Sequence, residues 1–275
     1  MIETSQYAGL AADELVGTDS RPPLVLLHGL TFDRRSWRPA VAELQALDPG
    51  RRVVAFDLPG HGESGERESY RFDAVVEDLH RSVLEAGLGS PILVGHSISS
   101  AIATIYATRY PTSGVVNVDG QLFVRPFSEL LHSLAPRIEG EGFDEVWRTV
   151  FWPSMHTELL PLWAQELLEE TSRPRRELVV GYWRDILDLS AAQLAARVAA
   201  GLSRVRERAT RYLIVSGDRL QGGYRQWLAT QLPQARLTVI PSSGHFPQLG
   251  DPRLFAECLV AFADWPAAWS YALAS

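Results

Sequence analysis

Residues 90–103 read SPILVGHSISSAIA, and this stretch decides the fold that the rest of the chain has to complete. The apolar run at 92–94 predicts a short strand buried on both faces, and the small and apolar residues from Ser99 onward predict a helix. Ser97 lies at the apex of the tight turn between them, with a helix N-terminus behind its hydroxyl. A serine hydroxyl is a poor nucleophile at neutral pH, so it requires a base and a site for developing negative charge.

Short apolar runs recur on both sides of this stretch and alternate with helical patterns. The predicted strands lie at 22–29, 52–57, 92–94, 115–120, 211–217 and 236–241, and residues 1–20 have room for one or two edge strands. Helical spacing is found at 36–47, 72–86, 224–232 and 254–262. Strands that alternate with helices imply a mostly parallel sheet with helices on both faces. We therefore predict an α/β fold with a doubly wound, mostly parallel sheet.

The alternation stops after Gly120 and returns near residue 209. Residues 123–208, called the cap segment below, have helical patterns and hold four of the eight tryptophans. We interpret this segment as a helical cap inserted into a core that consists of residues 1–122 and 209–275. A chain of 275 residues is long enough to form such a core together with an inserted subdomain.

The charge balance argues against several classes of partner and chemistry. The net charge is −7 and no basic run stands out, which disfavours nucleic acid or an anionic membrane as a partner. All 26 basic residues are arginine, which excludes Schiff-base, pyridoxal-phosphate and phosphate-loop lysines. Cys258 is the single cysteine, so no intramolecular disulfide can form. Without a signal-length or membrane-spanning apolar run, we expect a soluble, cytoplasmic protein with a small-molecule substrate, and a homodimer stays open.

The best candidate for the base is His245, which follows a predicted strand in the loop SSGHFP (residues 242–247). Loops at the carboxyl ends of parallel strands face the binding crevice. Two carboxylates at strand ends could orient this imidazole, Asp218 and Asp119, and either produces the chain order Ser, Asp, His. No histidines have the spacing of a zinc-hydrolase motif, and we predict neither a metal nor a cofactor.

The backbone N–H groups of Leu30 and Ile98 are the candidate oxyanion donors, because each follows the end of a buried strand. His28 ends the first of these strands; we interpret its side chain chiefly as a brace for the loop and retain it as a candidate substrate contact. The other candidate substrate contacts are Trp147, Trp152, His156 and Phe246. For any single tryptophan of the cap segment, packing between cap and core is the simpler interpretation.

These residues resemble the α/β-hydrolase superfamily, in the branch with a cap domain and a serine nucleophile. The resemblance is carried by LHG (27–29), DLPGHGES (57–64), GHSIS (95–99) and GHFP (244–247), which occur in the family order. One departure is Ser99, where the family has a second glycine. The resemblance implies Ser97 as nucleophile, His245 as base, and Leu30 and Ile98 as oxyanion donors.

The same resemblance leaves the acid open. The usual position of the family's acid, counted back from His245, falls within a residue of Asp218, whereas counted from Gly217 it falls on Leu220, which cannot act. We prefer Asp218, because a loop shortened by two residues reconciles the two counts. Some branches take the acid from the preceding strand end, which is Asp119 here.

The residue types predict acyl transfer to water at an ester, lactone or thioester, or hydrolysis of a C–C bond, in a small and largely apolar substrate. A serine at position 97 argues against the dehalogenases and epoxide hydrolases of this fold, because those enzymes use an aspartate nucleophile. A carboxylesterase-like activity is our first expectation. The alternatives are a small-molecule sensor and a non-hydrolytic lyase on the same fold, because fold does not fix function.

Overall fold

The computed structural model describes residues 2–265; Met1 and residues 266–275, which end the second predicted core segment, lie outside the described residues. Its eight-stranded sheet has the order β1-β2-β4-β3-β5-β6-β7-β8. The strands are β1 (Ile2–Tyr7), β2 (Leu10–Leu15), β3 (Leu24–Leu27), β4 (Val53–Phe56), β5 (Ile92–His96), β6 (Gly114–Val118), β7 (Tyr212–Ser216) and β8 (Arg236–Val239). From β4 to β8 all neighbouring strands are parallel, and β1 and β2 form an antiparallel hairpin at one edge.

The predicted α/β class with a doubly wound, mostly parallel sheet is confirmed. The α-helices are α1 (Arg38–Leu47), α2 (Phe72–Glu85), α3 (Ser99–Arg109), α4 (Arg125–Ile138), α5 (Phe143–Val146), α6 (Leu162–Thr171), α7 (Arg176–Leu187), α8 (Ala191–Glu207), α9 (Gly222–Gln231), α10 (Pro247–Gly250) and α11 (Pro252–Ala263). Short 3₁₀ turns lie at Arg34–Trp37, Pro153–Met155 and Thr157–Leu159, and a π-helical turn at Trp147–Phe151.

The central strands are apolar along their whole length because helices cover both faces of the sheet. In β5, Leu93 belongs to the apolar cluster that α2 and α3 complete, whereas Val94 belongs to the cluster on the opposite face, with α1 and α11. Both side chains are fully buried. The two-residue side-chain period of a strand therefore serves two cores at once, which explains why the sequence of this strand shows no polar alternation.

The strand order brings together the two loops that matter for chemistry. β3 lies between β4 and β5, so the chain winds in one direction from β3 and in the other direction from β5. The register pairs Leu27 at the end of β3 with Gly95 near the end of β5. The segments that follow these two strands therefore lie side by side at the carboxyl edge of the sheet, where open α/β sheets bind ligands.

All regular elements between β6 and β7 are helical, from α4 to α8 with their short connecting turns. This agrees with the helical pattern read for the cap segment, although the division into core and cap domains stays a prediction. Within residues 2–265, no helix combines the length and the apolar character that crossing a bilayer requires.

Candidate active site

Ser97 lies on a strained turn between β5 and α3. Its φ is +56°, a left-handed conformation that is uncommon for a residue with a side chain and that clusters at functional sites. Gly95 makes this turn possible, because a Cβ there would lie 2.2 Å from the backbone oxygen of Ser99. The Ser97 N–H donates to the Val118 carbonyl over 2.8 Å, which ties the turn to β6. The side chain of Ser97 lines a large cavity.

His245 is paired with Asp119, and both residues line the same cavity as Ser97. The distance from His245 Nδ1 to Asp119 Oδ2 is 2.7 Å. The preference for Asp218 is therefore corrected in favour of the alternative acid, since Asp218 is exposed. The physical reason lies in Gly217, where a Cβ would come within 1.8 Å of the Gly244 carbonyl oxygen. The loop after β7 packs tightly against the loop that carries His245 at that point, and Asp218 follows on the solvent side.

The second carboxylate oxygen of Asp119, which does not face His245, also has hydrogen-bond donors. Asp119 Oδ1 accepts hydrogen bonds from Ser216 Oγ at 2.9 Å and from the Gly217 N–H at 3.2 Å. Burial alone would raise the pKa of Asp119, but the hydrogen bonds from His245, Ser216 and Gly217 outweigh it and keep the pKa below its ordinary value. The side chain is therefore ionised at neutral pH and oriented from both sides.

The backbone of His245 is held from two directions. Its N–H donates to the carbonyl of Met155 in the cap segment over 3.0 Å, and its carbonyl lies 2.7 Å from His96 Nε2. Burial, together with the neighbouring His245 ring, lowers the pKa of His96 to about 3, so the His96 ring is neutral and its Nε2–H is the donor. The unfolded chain binds a proton at His96 below about pH 6.5, so the folded state loses stability as the pH falls through that value.

The two candidate oxyanion donors lie at neighbouring turns. Leu30 and Ile98 both line the cavity, and neither backbone N–H has an acceptor within residues 2–265. A Cβ on Gly29 would lie 3.5 Å from Ser97 Cβ, which shows how closely the Leu30 turn approaches the serine. The arrangement leaves two backbone donors free beside one hydroxyl, as binding of an oxyanion requires.

Ser99 and His28 brace this region without touching the cavity. His28 is completely buried, its Nε2 accepts from the Leu58 N–H at 3.0 Å, and its Nδ1 lies 2.8 Å from the Gly29 carbonyl. The candidate substrate contact at His28 is therefore wrong, and the interpretation as a brace fits its bonding. Ser99 donates its hydroxyl to the His28 carbonyl. The serine that replaces the usual glycine thus ties α3 to the end of β3.

The cavity has a volume of about 580 Å³ and a predominantly apolar lining. Of the predicted substrate contacts, Trp147 lines it. Phe127, Phe151 and Trp183, which were not among the predicted contacts, line it as well. A signal for Phe151 was present, because it lies four residues after Trp147 and one helical turn places both on the same face. Their ring centroids are 5.8 Å apart in the π-helical turn, a conformation that is frequent at functional sites.

Three further candidate substrate contacts lie elsewhere. Phe246 is fully buried and packs edge-on against Phe32, with the ring centroids 5.3 Å apart. Trp152 packs against the same ring at 6.4 Å. His156 is exposed, and its Nδ1 lies 3.0 Å from Glu158 Oε1. None of the three candidates lines the cavity, although their neighbours Ser154, Met155 and His245 do. Phe246 and Trp152 belong instead to a separate apolar cluster around Phe32. Within the described residues, no three His, Cys, Asp or Glu side chains cluster as metal ligands.

A family model described as the alpha/beta hydrolase family matches residues 24–258. The chain belongs to this family, as the sequence motifs predicted. A 2-succinyl-6-hydroxy-2,4-cyclohexadiene-1-carboxylate synthase from Enterobacter sp. (strain 638) is 28% identical over 253 residues, which are 88% of this chain and 92% of the relative. An sn-1-specific diacylglycerol lipase from Mus musculus is 23% identical over 267 residues, which are 92% of this chain and 84% of the lipase.

Among solved structures, this chain is similar to an AqdC variant described in terms of recognition and ring cleavage of the Pseudomonas quinolone signal. The TM-score is 0.76 at 19% identity, and the match covers 96% of this chain and 99% of the other. At that identity the likeness shows the fold.

Proposed function

We propose that this chain is a serine hydrolase that cleaves an ester-type bond of a small, largely apolar substrate through an acyl-enzyme. The observation that carries the proposal is the 2.7 Å pairing of His245 with Asp119 in the wall of the cavity that Ser97 also lines. The left-handed turn at Ser97 adds support, because strain of this kind is retained where a side chain has to be presented. The lipase among the relatives fits the same reaction class.

In the proposed reaction, the hydroxyl of Ser97 attacks the carbonyl carbon of the substrate while His245 takes the proton of that hydroxyl. Asp119 accepts the Nδ1–H of the imidazole, so Nε2 is the unprotonated nitrogen that serves as base. The ionised Asp119 also stabilises the imidazolium that forms. His245 then returns the proton to the leaving group, and a water molecule repeats the sequence on the acyl-enzyme.

The negative charge that develops on the carbonyl oxygen is bound by the N–H groups of Leu30 and Ile98. Removal of one such donor typically costs about 10²–10³ in rate in other enzymes. Only a substitution by proline removes a backbone N–H, and it would also distort the turn, so the contribution of these donors has to be tested through the conformation of the turn. The hydrogen bond from Ser99 to the His28 carbonyl supports this turn from below.

A fluorophosphonate probe tests the proposal directly, because it reacts with an activated serine whatever the natural substrate is. We expect the wild-type protein to be labelled, and Ser97→Ala to remain unlabelled. His245→Ala should label far more slowly, since the hydroxyl then lacks its base. Ser154→Ala is a matched control, because Ser154 also lines the cavity and has no base beside it. Labelling that persists in Ser97→Ala would refute the proposal.

A second candidate is general-base chemistry without covalent attack. It is favoured by the aromatic lining of the cavity, in which Phe127, Phe151 and Trp183 suit a planar ring. A similar solved structure is described in terms of ring cleavage, and a synthase is among the relatives, so reactions other than ester hydrolysis occur on this fold. In this reaction the pair of His245 and Asp119 takes a proton from the bound substrate. Turnover that survives Ser97→Ala and is lost in His245→Ala would favour it over the hydrolase.

A further inference from the structure

The cavity extends far beyond the space that the reacting bond needs. Along α3 its lining includes Ile98, Ala101, Ile105 and Thr108, which recur every three or four residues and form one stripe on the helix. Ten residues of α-helix span about 15 Å, so the cavity follows α3 over that length. The stripe begins beside Ser97 and leads away from the loop of His245.

The opposite wall comes from the cap segment. In α8, Leu194, Val198 and Gly201 line the cavity, again at intervals of three and four residues. Gly201 is the open point of this wall, because a Cβ built there meets no atom within 4 Å and its φ is not in the left-handed region. The absence of a side chain at this position therefore leaves extra room between α3 and α8.

Charged residues close the end of the cavity that lies furthest from Ser97. Arg197 of α8 lies 3.0 Å from Asp185 and 3.4 Å from Asp73, and Arg109 at the end of α3 pairs with Asp73 as well. All four side chains belong to residues that line the cavity. An apolar group that reached this network would desolvate ion pairs, so the network sets a limit on length.

We propose that the substrate carries a single elongated apolar acyl chain of roughly ten to twelve carbons, which lies between α3 and α8. This inference rests on the proposed hydrolase function. A zigzag carbon chain advances about 1.3 Å per carbon, so about 15 Å accommodates a chain of that length. The leaving group has to receive its proton from His245, so the group that extends away from that loop is the acyl group.

The test compares p-nitrophenyl decanoate with p-nitrophenyl acetate in the wild-type protein, Gly201→Leu and Ala196→Leu. Each methylene removed from water strengthens binding about fourfold, so the wild type should prefer the decanoyl ester. A leucine at position 201 adds four carbon atoms, which occupy the space of about four methylenes, and the decanoate-to-acetate ratio of kcat/KM should fall about 200-fold. Ala196 is exposed on the same helix and does not line the cavity, so Ala196→Leu should keep the wild-type ratio.

A binding measurement separates this inference from the hydrolase proposal. Dodecanoate, which needs no turnover, should change the tryptophan fluorescence of the wild type, because Trp147 and Trp183 line the cavity. Its affinity should drop at least tenfold in Gly201→Leu and not in Ala196→Leu. If the protein is labelled and active, but the decanoate-to-acetate ratio of kcat/KM is the same in the wild type and both variants, the acyl-chain inference alone is overturned. If dodecanoate binds but the protein shows neither fluorophosphonate labelling nor ester turnover, the hydrolase function is overturned. The inference that the cavity holds an elongated apolar chain is then still supported.

Discussion

Replacement of Asp119 by asparagine is the sharpest test of how the site is organised, because the structure determines which way the new amide must face. Asp119 Oδ1 accepts from Ser216 Oγ and from the Gly217 N–H, and an NH₂ group cannot accept these bonds. The oxygen of the asparagine therefore takes that position, and its NH₂ group faces His245 Nδ1. Nδ1 then has to be the acceptor, which moves the imidazole proton to Nε2 and removes the base.

The expected loss is large. In the serine proteases, the same change of tautomer lowers kcat by about 10⁴, and a factor of that size corresponds to about 5.4 kcal/mol in the activation free energy. We expect a loss of the same order in Asp119→Asn, measured as kcat on a p-nitrophenyl ester at pH 7.5. The rate of labelling by fluorophosphonate should fall in parallel, because both readouts depend on the same deprotonation of Ser97.

Asp218→Asn is the matched control, because it makes the same chemical change at the carboxylate that sequence counting favoured. Asp218 is exposed, so its replacement should alter kcat by less than about twofold. Thermal unfolding of both variants shows whether either one has lost its fold. If folded Asp119→Asn keeps wild-type kcat, or if Asp218→Asn has the 10⁴-fold loss, the assignment of the acid is wrong.

Three further outcomes follow from the described contacts. When the pH falls from 7.5 to 5.5, the buried His96 stays neutral in the folded state, and this should lower the free energy of unfolding by about 1.4 kcal/mol. In urea titrations, the pH dependence of the wild type and that of His96→Gln should therefore differ by that amount. Ser99→Ala leaves the buried His28 carbonyl without its hydroxyl donor and should lower the free energy of unfolding by about 1–2 kcal/mol, also measured in urea; an unchanged midpoint would contradict the bond. Phe246→Leu should lower it by about 1 kcal/mol and keep the decanoate-to-acetate ratio, because the ring packs outside the cavity; a changed ratio would show that Phe246 touches substrate.

The sheet could be predicted from sequence because its strands are buried on both faces. A run such as 92–94 has no polar alternation, and the structure shows the reason: Leu93 and Val94 belong to different cores. The hairpin of β1 and β2 was predicted only as one or two edge strands. β1 is mostly exposed, so little burial imposes a pattern on it. β2 is fully buried, but it carries Asp13 and Glu14, whose carboxylates pair with arginines, so it shows no purely apolar run.

The acid could not be predicted from sequence because the deciding contact lies between distant glycines. Asp119 and Asp218 both follow buried strands, and chain order permits either one. The close contact between Gly217 and the Gly244 carbonyl determines where the loop after β7 runs. This contact is between two loops that are far apart in sequence, so spacing along the chain does not reveal it. Aromatic residues present the same difficulty. Phe246 lies next to His245 in sequence, yet its ring belongs to a separate packing cluster.

The two backbone bonds of His245 tie this residue to two separate parts of the chain. One of them ends on the sheet side, at His96, and the other ends on Met155, in the helical segment between β6 and β7. A change that moved the Met155 carbonyl would therefore take the acceptor from the amide of residue 245. It would reach the imidazole through the backbone, without any contact to the substrate.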